Sequence, residues 1–169
     1  MYNKIYIIGS VASGKTTLAT LLSNKLNIES YELDKIIYDD DNGNIKRSEK
    51  EVKALFQKII NKNAWIIEDV GRETFVVGLQ KADVVYYLKT SKVTIYKRCL
   101  TRWIKQKLKL ETYNYKPTLK SLIQMLSWAK AYFKNESTKM KYITENSQNI
   151  KVLKRKDIKK LIEKTNYKI

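Results

Sequence analysis

A three-layer α/β/α fold around a five-stranded parallel sheet is the class this sequence predicts, and three observations carry it. Short apolar segments alternate with segments of helical periodicity along almost the whole chain. The segment at residues 84–88 is continuously apolar rather than alternating, as a strand covered on both faces requires. The first apolar run ends in a glycine-bounded loop that opens a helix. With 169 residues, 43% of them hydrophobic, the chain suits one domain with a substantial core. Five Gly and one Pro argue against a linker-rich organisation, and no internal repeat is found.

The elements follow in order. Residues 4–8 form a strand ending at Gly9, and residues 15–26 a helix spaced by Leu18, Leu22 and Leu26. Residues 30–33 read as a weak second strand, and Asp39, Asp40, Asp41, Asn42 and Gly43 as a polar turn. Residues 49–61 make an amphipathic helix through Val52, Leu55, Phe56, Ile59 and Ile60. Strands are expected at 65–67 and 84–88. Ser91 is a suitable N-cap for a helix over 91–107. Another helix spans 117–134 with Pro117 in its first turn. A last strand at 150–153 leads to a basic helix over about 155–164.

Composition excludes several chemistries. There is no His, so no imidazole base and no His-bound metal. The single Cys99 excludes an internal disulfide and a CxxC centre, and reads as a small buried residue. The opening apolar run at 5–8 is too short for a signal peptide or a membrane span. A soluble cytoplasmic protein with no membrane partner is expected. The 34 Lys plus Arg against 17 Asp plus Glu give a net charge of +17. Residues 1–84 carry 12 of each sign, so the whole excess lies in residues 85–169. Three readings fit: lysines supplied by AT-rich codons, a nucleic-acid surface, or a polyphosphate site. Trp103, Tyr113, Tyr115, Trp128, Tyr132 and Phe133 make the same half aromatic, which suits either base stacking or packing on the sheet.

The sharpest motif is Gly9-Ser10-Val11-Ala12-Ser13-Gly14-Lys15-Thr16, a full match to GxxxxGK[ST] between a strand and a helix. Such a loop turns backbone N–H groups inward around a phosphate at a helix N-terminus. Lys15 would neutralise the β- and γ-phosphates, and the Thr16 hydroxyl, beside Thr17, would ligate Mg²⁺. ATP binding with Mg²⁺ is therefore expected. A switch GTPase is not, because Asn3-Lys4, Asn24-Lys25 and Asn61-Lys62 all lack the following Asp of a base-reading loop.

Further along, Glu68 ends the Trp65-Ile66-Ile67-Glu68 segment with Arg72 four positions on, and Arg98 and Arg102 lie one helical turn apart. This pattern resembles the adenylate-kinase-like family. More closely, Tyr6-Ile7-Ile8-Gly9-Ser10, Tyr31-Glu32-Leu33-Asp34, Trp65-Ile66-Ile67-Glu68 and Lys105-Gln106-Lys107-Leu108 through Lys116-Pro117-Thr118 resemble the DNA topology modulation proteins. The resemblance implies strand order 2-3-1-4-5, an acceptor-binding insertion at 35–62 and a lid at about 103–116. It implies transfer of the ATP γ-phosphoryl group to an unidentified acceptor. A DNA-associated regulator that uses ATP binding as a switch is the alternative, with nucleic acid held by the basic half.

The same resemblance suggests roles. Asp34 would be a base, a metal ligand through water, or a helix cap. Glu68 would orient Mg²⁺, or else form a surface ion pair. Asp69 stands where adenylate kinases often have Gly. Arg72 would bind the acceptor. Arg98 and Arg102 would contact phosphates, and with only 5 Arg beside 29 Lys each Arg suggests a need for its planar fork. Arg155, after the last strand, would edge the adenine site in a loop at 153–156. With no further arginine between Arg102 and Arg155, lid charge would fall to Lys105, Lys107, Lys109 or Lys116.

Overall fold

The computed structural model describes residues 2–39, 42–111 and 117–165, with side chains to residue 161. A parallel sheet is built from β1 (Lys4–Ile8), β2 (Ser30–Glu32), β5 (Trp65–Asp69), β6 (Val84–Leu88) and β7 (Ile150–Leu153). Their spatial order is β2-β5-β1-β6-β7. Counting only these five, the order is 2-3-1-4-5, as expected. A small antiparallel hairpin, β3 (Tyr38–Asp39) with β4 (Ile45–Lys46), is inserted between the second and third sheet strands. In the centre, Lys4 to Ile8 pair with Trp65 to Asp69, and Ile5 to Ile8 with Val84 to Tyr87.

Alternate side chains of these strands leave opposite faces and found two cores. On one face Tyr6, Ile8, Trp65, Ile67, Val85 and Tyr87 bury against α2 (Leu33–Ile37), α3 (Glu49–Ile60), α4 (Val76–Lys81) and α7 (Glu136–Glu145). On the other, Ile5, Ile7, Ile66, Val84, Tyr86 and Leu88 pack against α1 (Lys15–Leu26), and α8 (Arg155–Thr165) adds Ile158 and Leu161. Each fully buried Ile contributes on the order of 2 kcal/mol. A third cluster of Ile95, Cys99, Met125 and Ala129 joins α5 (Lys92–Lys107) to α6 (Leu119–Lys134). Cys99 is buried there, as expected. Among the described residues no helix is long and apolar enough to cross a membrane.

Several boundaries move for identifiable reasons. The second strand stops at Glu32, because Leu33 opens α2 and turns its side chain into the core. Asp34 thus lies inside a helix rather than in a connecting loop. β5 extends to Asp69, since Glu68 and Asp69 pair with Ile7 and Ile8. Pro117 precedes α6 instead of occupying its first turn, and Thr118 is the cap, its hydroxyl accepting from Ser121 N at 3.1 Å. The expected loop at 153–156 shrinks to Lys154, whose N–H donates to Asp157 as α8 begins. Helix α7 was not foreseen. Its Ile143 and Met140 reach the first core. The polar turn's Asp40 and Asp41, and Tyr113, Tyr115 and Lys116 of the expected lid, fall outside the described residues.

Helix α4 depends on its glycine. A Cβ on Gly78 would stand 2.8 Å from the Tyr6 ring and 2.9 Å from the Phe56 ring. Helix propensity alone favours Ala over Gly by about 1 kcal/mol. The expected outcome for Gly78→Ala is instead a loss of about 1–3 kcal/mol, because neither ring can retreat in a filled core. Chemical denaturation of the two proteins measures the sign.

Candidate active site at the carboxyl ends of the strands

Every expected site residue except Gly9 and Ser10 lines a single cleft of about 1960 Å³, above the carboxyl ends of β1, β2 and β5. Such a position is where open parallel sheets bind ligands. The phosphate loop follows β1 directly. Gly9 N–H donates to Asp69 O at 3.4 Å, and Ser13 N–H to Ser10 O at 3.3 Å. A Cβ at Gly9 would lie 2.6 Å from Ser13 Oγ, so the loop closes only around a glycine. Gly14 takes φ +102° as the N-cap of α1. Lys15 Nζ donates to Ser10 O at 2.9 Å. Burial pushes the Lys15 ammonium down from its ordinary value, against the pull of Glu68, Asp69 and Asp34.

Two strand ends meet the loop. Thr16 Oγ1 donates to Glu68 Oε1 at 2.6 Å across the sheet. Glu68 is only 5% exposed, so it forms no surface ion pair. Burial raises its carboxyl above the usual range, opposed by Lys15 and the Thr16 hydroxyl. Its second oxygen, Oε2, is buried without a hydrogen-bond partner, and so is Ser13 Oγ. An orphaned buried carboxylate oxygen beside a threonine hydroxyl is a donor set that suits a hard divalent cation.

Asp69 organises the next turn. Its Oδ2 accepts the Arg72 backbone N–H at 2.6 Å, and its Oδ1 accepts from Arg72 Nη1. Gly71 permits the reversal with φ +79°. Arg72 Nη2 then reaches Asp34 Oδ1 on α2. Asp34 Oδ2 is left without a hydrogen-bond partner among the described residues, and the side chain is 65% exposed. Asp34 does not cap α2, which has Glu32 as its N-cap residue and no side-chain cap. Burial works against the Arg72 charge, but Asp69 and Asp34 outweigh it and raise its pKa.

The remaining arginines sit across the cleft. Arg98 Nη1 donates to Ser13 O at 2.9 Å and Ala12 O at 3.2 Å, gripping the loop's own backbone. Arg102 Nε pairs with Glu111 at 3.2 Å. Arg155 and Ile158 line the end near Thr17, Leu18 and Leu21. Sequence reasoning missed Glu111 and Lys139. Lys139 on α7 donates to Gly71 O at 2.6 Å, and burial lowers its pKa. The Met140–Ile143 spacing behind Glu136 was the signal for that helix.

No protein-family model matches the chain. A shikimate kinase of Flavobacterium psychrophilum is 31% identical over 110 residues, covering 56% of this chain; the chain thus spans 64% of that relative's length. Among solved structures, a shikimate kinase from Bacteroides thetaiotaomicron superposes with a TM-score of 0.61 at 14% identity, covering 97% of this chain and 96% of the other. A gluconokinase from Sinorhizobium meliloti gives a TM-score of 0.52 at 11% identity, covering 96% and 89%. The chain therefore has the phosphate-loop fold that these small-molecule kinases share.

The buried carboxylate yields a test. Because the raised pKa of Glu68 marks its ionised form as unfavourable in the folded protein, stability declines as pH rises through that folded value. Glu68→Gln keeps an oxygen for Thr16 and removes the buried charge. Its melting temperature without ligand is expected not to fall at pH 8, while the additional stabilisation by MgATP over ATP alone disappears. Thermal unfolding with and without Mg²⁺ reads both effects.

Proposed function

We propose that this chain is an ATP-dependent kinase that phosphorylates a hydroxyl group of a small hydroxylated acid, of the kind shikimate and gluconate represent. The observation that carries the reading is the Asp34–Arg72–Asp69 clamp, which lies in the same cleft as the phosphate loop. An exposed carboxylate with a free oxygen is what an acceptor hydroxyl needs. A guanidinium beside it suits the acceptor's own carboxylate.

In this reading the loop N–H groups and Lys15 hold the ATP phosphates. Thr16 and Glu68 hold Mg²⁺ with the nucleotide; the ion, when bound, neutralises charge on the transferring group. Asp34 Oδ2 accepts the hydroxyl proton as the acceptor oxygen bonds to the γ-phosphorus and the bond to the ADP oxygen breaks. Arg72 orients the acceptor, and Asp69 orients Arg72. Arg98 keeps the phosphate loop in shape, and Arg102 meets phosphate charge as it develops. Arg155 edges the base site. The insertion at 35–62 closes the acceptor end, and the segment from about 103 forms the lid. Lys97, Lys105, Lys120 and Lys139 line the cleft, which supports reading part of the basic excess as serving a polyphosphate. A cytoplasmic location, where ATP is abundant, follows from this chemistry.

The test is ADP release from MgATP across a panel of hydroxylated acids, sugars and nucleosides, beginning with shikimate and gluconate. One acceptor is expected to stimulate turnover. Asp34→Asn should then lower kcat about 10²–10⁴-fold with ATP affinity retained. Lys15→Ala is expected to weaken ATP binding at least tenfold. ATP binding with no response to any acceptor would defeat the kinase reading. DNA binding that weakens steeply with salt would favour the DNA-associated regulator instead.

A further inference from the structure

Glu111 is the single acidic residue between Asp83 and Glu136, a stretch that carries twelve lysines and arginines. It could have been expected on the outer surface, balancing that charge. It lines the nucleotide cleft instead, and its carboxylate meets Arg102 Nε at 3.2 Å.

The backbone puts it there. Helix α5 ends in a tight reversal in which Leu110 N–H donates to Lys105 O at 2.8 Å and Lys109 N–H to Gln106 O at 3.1 Å. These are the paired bonds of a Schellman termination. The left-handed position, usually Gly, is filled by Lys109 at φ +57°. The chain therefore doubles back along its own helix, and Glu111 returns beside Arg102, two and a half turns upstream.

Arg102 differs from the other cleft arginines in what it holds. Arg98 bonds backbone carbonyls of the loop, and Arg72 is divided between two aspartates that belong to the acceptor end. Among the described residues Arg102 has one ion-pair partner, a partly exposed carboxylate that also lines the cleft. A carboxylate oxygen and a phosphate oxygen ask the same thing of a guanidinium, a charge-assisted N–H···O bond. Glu111 faces Arg102 as an ion pair, and a phosphate arriving at that guanidinium competes with it for the same charge.

We propose that the Glu111 carboxylate occupies on Arg102 the place that a phosphate of the bound nucleotide takes, so that ATP binds by displacing it. The proposal rests on the ATP-binding reading above and makes Glu111 a positioning residue. It keeps Arg102 directed into the cleft while the site is open and gives up the guanidinium when a polyphosphate arrives. Ligands without phosphate gain nothing from the exchange, so Glu111 biases the site toward nucleotides with enough negative charge to win it.

A double-mutant cycle tests this by calorimetric binding of MgATP, with adenosine as the uncharged probe. Glu111→Gln removes the competing charge and keeps the size. It is expected to tighten MgATP about two- to fivefold, the scale of one partly exposed ion pair, and to leave adenosine affinity unchanged. Glu111→Asp should restore the wild-type affinity. In an Arg102→Met background, Glu111→Gln should no longer alter MgATP binding. The inference is overturned if Glu111→Gln binds MgATP equally or more weakly, or if its gain survives without Arg102, which would mark a diffuse charge effect. Failure of the wild-type chain to bind MgATP at all would instead overturn the ATP-binding reading, and the inference with it.

Discussion

The in-register parallel pairing of β1 with β5 is the constraint on which the site depends. Ile7 lies opposite Glu68 and Ile8 opposite Asp69, so both carboxylates arrive at the sheet edge where β1 gives way to the phosphate loop. A slip of one residue would send Glu68 to the other face and into a hydrocarbon core. In the observed register one carboxylate takes the Thr16 hydroxyl, and the other shapes the turn that carries Arg72. Lys15 lies half-buried beside them, its charge favoured by three acidic groups. Burying that many charges is tolerable only because each has an opposite charge or a hydrogen bond within reach.

Arginine usage follows from the same economy of placement. In a chain this rich in lysine, Arg47, Arg72 and Arg98 each hold more than one acceptor, as a forked planar donor can. Arg47 shows the rule outside the site. Its Nη1 meets the carbonyls of Lys35, Ile36 and Tyr38, and its Nη2 pairs with Asp39. One side chain thus satisfies the carboxyl end of α2 and ties it to the hairpin, which holds Asp34 at the cleft. Arg98 does the same for the phosphate loop from the opposite side. Val11 and Ala12 also pack on the α5–α6 cluster, so the loop's shape is shared between the sheet and that helical pair.

The DNA topology resemblance and the kinase resemblance share the Trp65-Ile66-Ile67-Glu68 segment, and both presuppose the phosphate loop. The shikimate kinase and gluconokinase structures superpose over nearly the whole chain, which shows the shared fold. A phosphate loop alone would not separate the two readings. The kinase reading proposed above rests on the exposed carboxylate of Asp34 held by Arg72 in the same cleft as the phosphate loop.

The sequence by itself determined the five sheet strands, five of the longer helices and the phosphate loop, because each has a local signature in periodicity, capping or glycine spacing, while the strand order came with the family resemblance. It also singled out Asp34, Glu68, Arg72, Arg98 and Arg102 as chemistry-bearing. It left their partners open, and those the tertiary structure decided. Asp34 became an ion-paired residue inside a helix, Glu68 a buried carboxylate, and Asp69 the anchor of a turn. Lys139 joined the cleft from a helix the sequence analysis did not name, and Glu111 from the expected lid segment without having been singled out. The physical reason is that pairing of charges is settled by long-range packing, across 38 residues for Arg72 with Asp34 and 52 for Thr16 with Glu68. Helical and strand periodicity reports only which way a side chain faces, whereas a partner that distant in the chain is brought near by the fold alone.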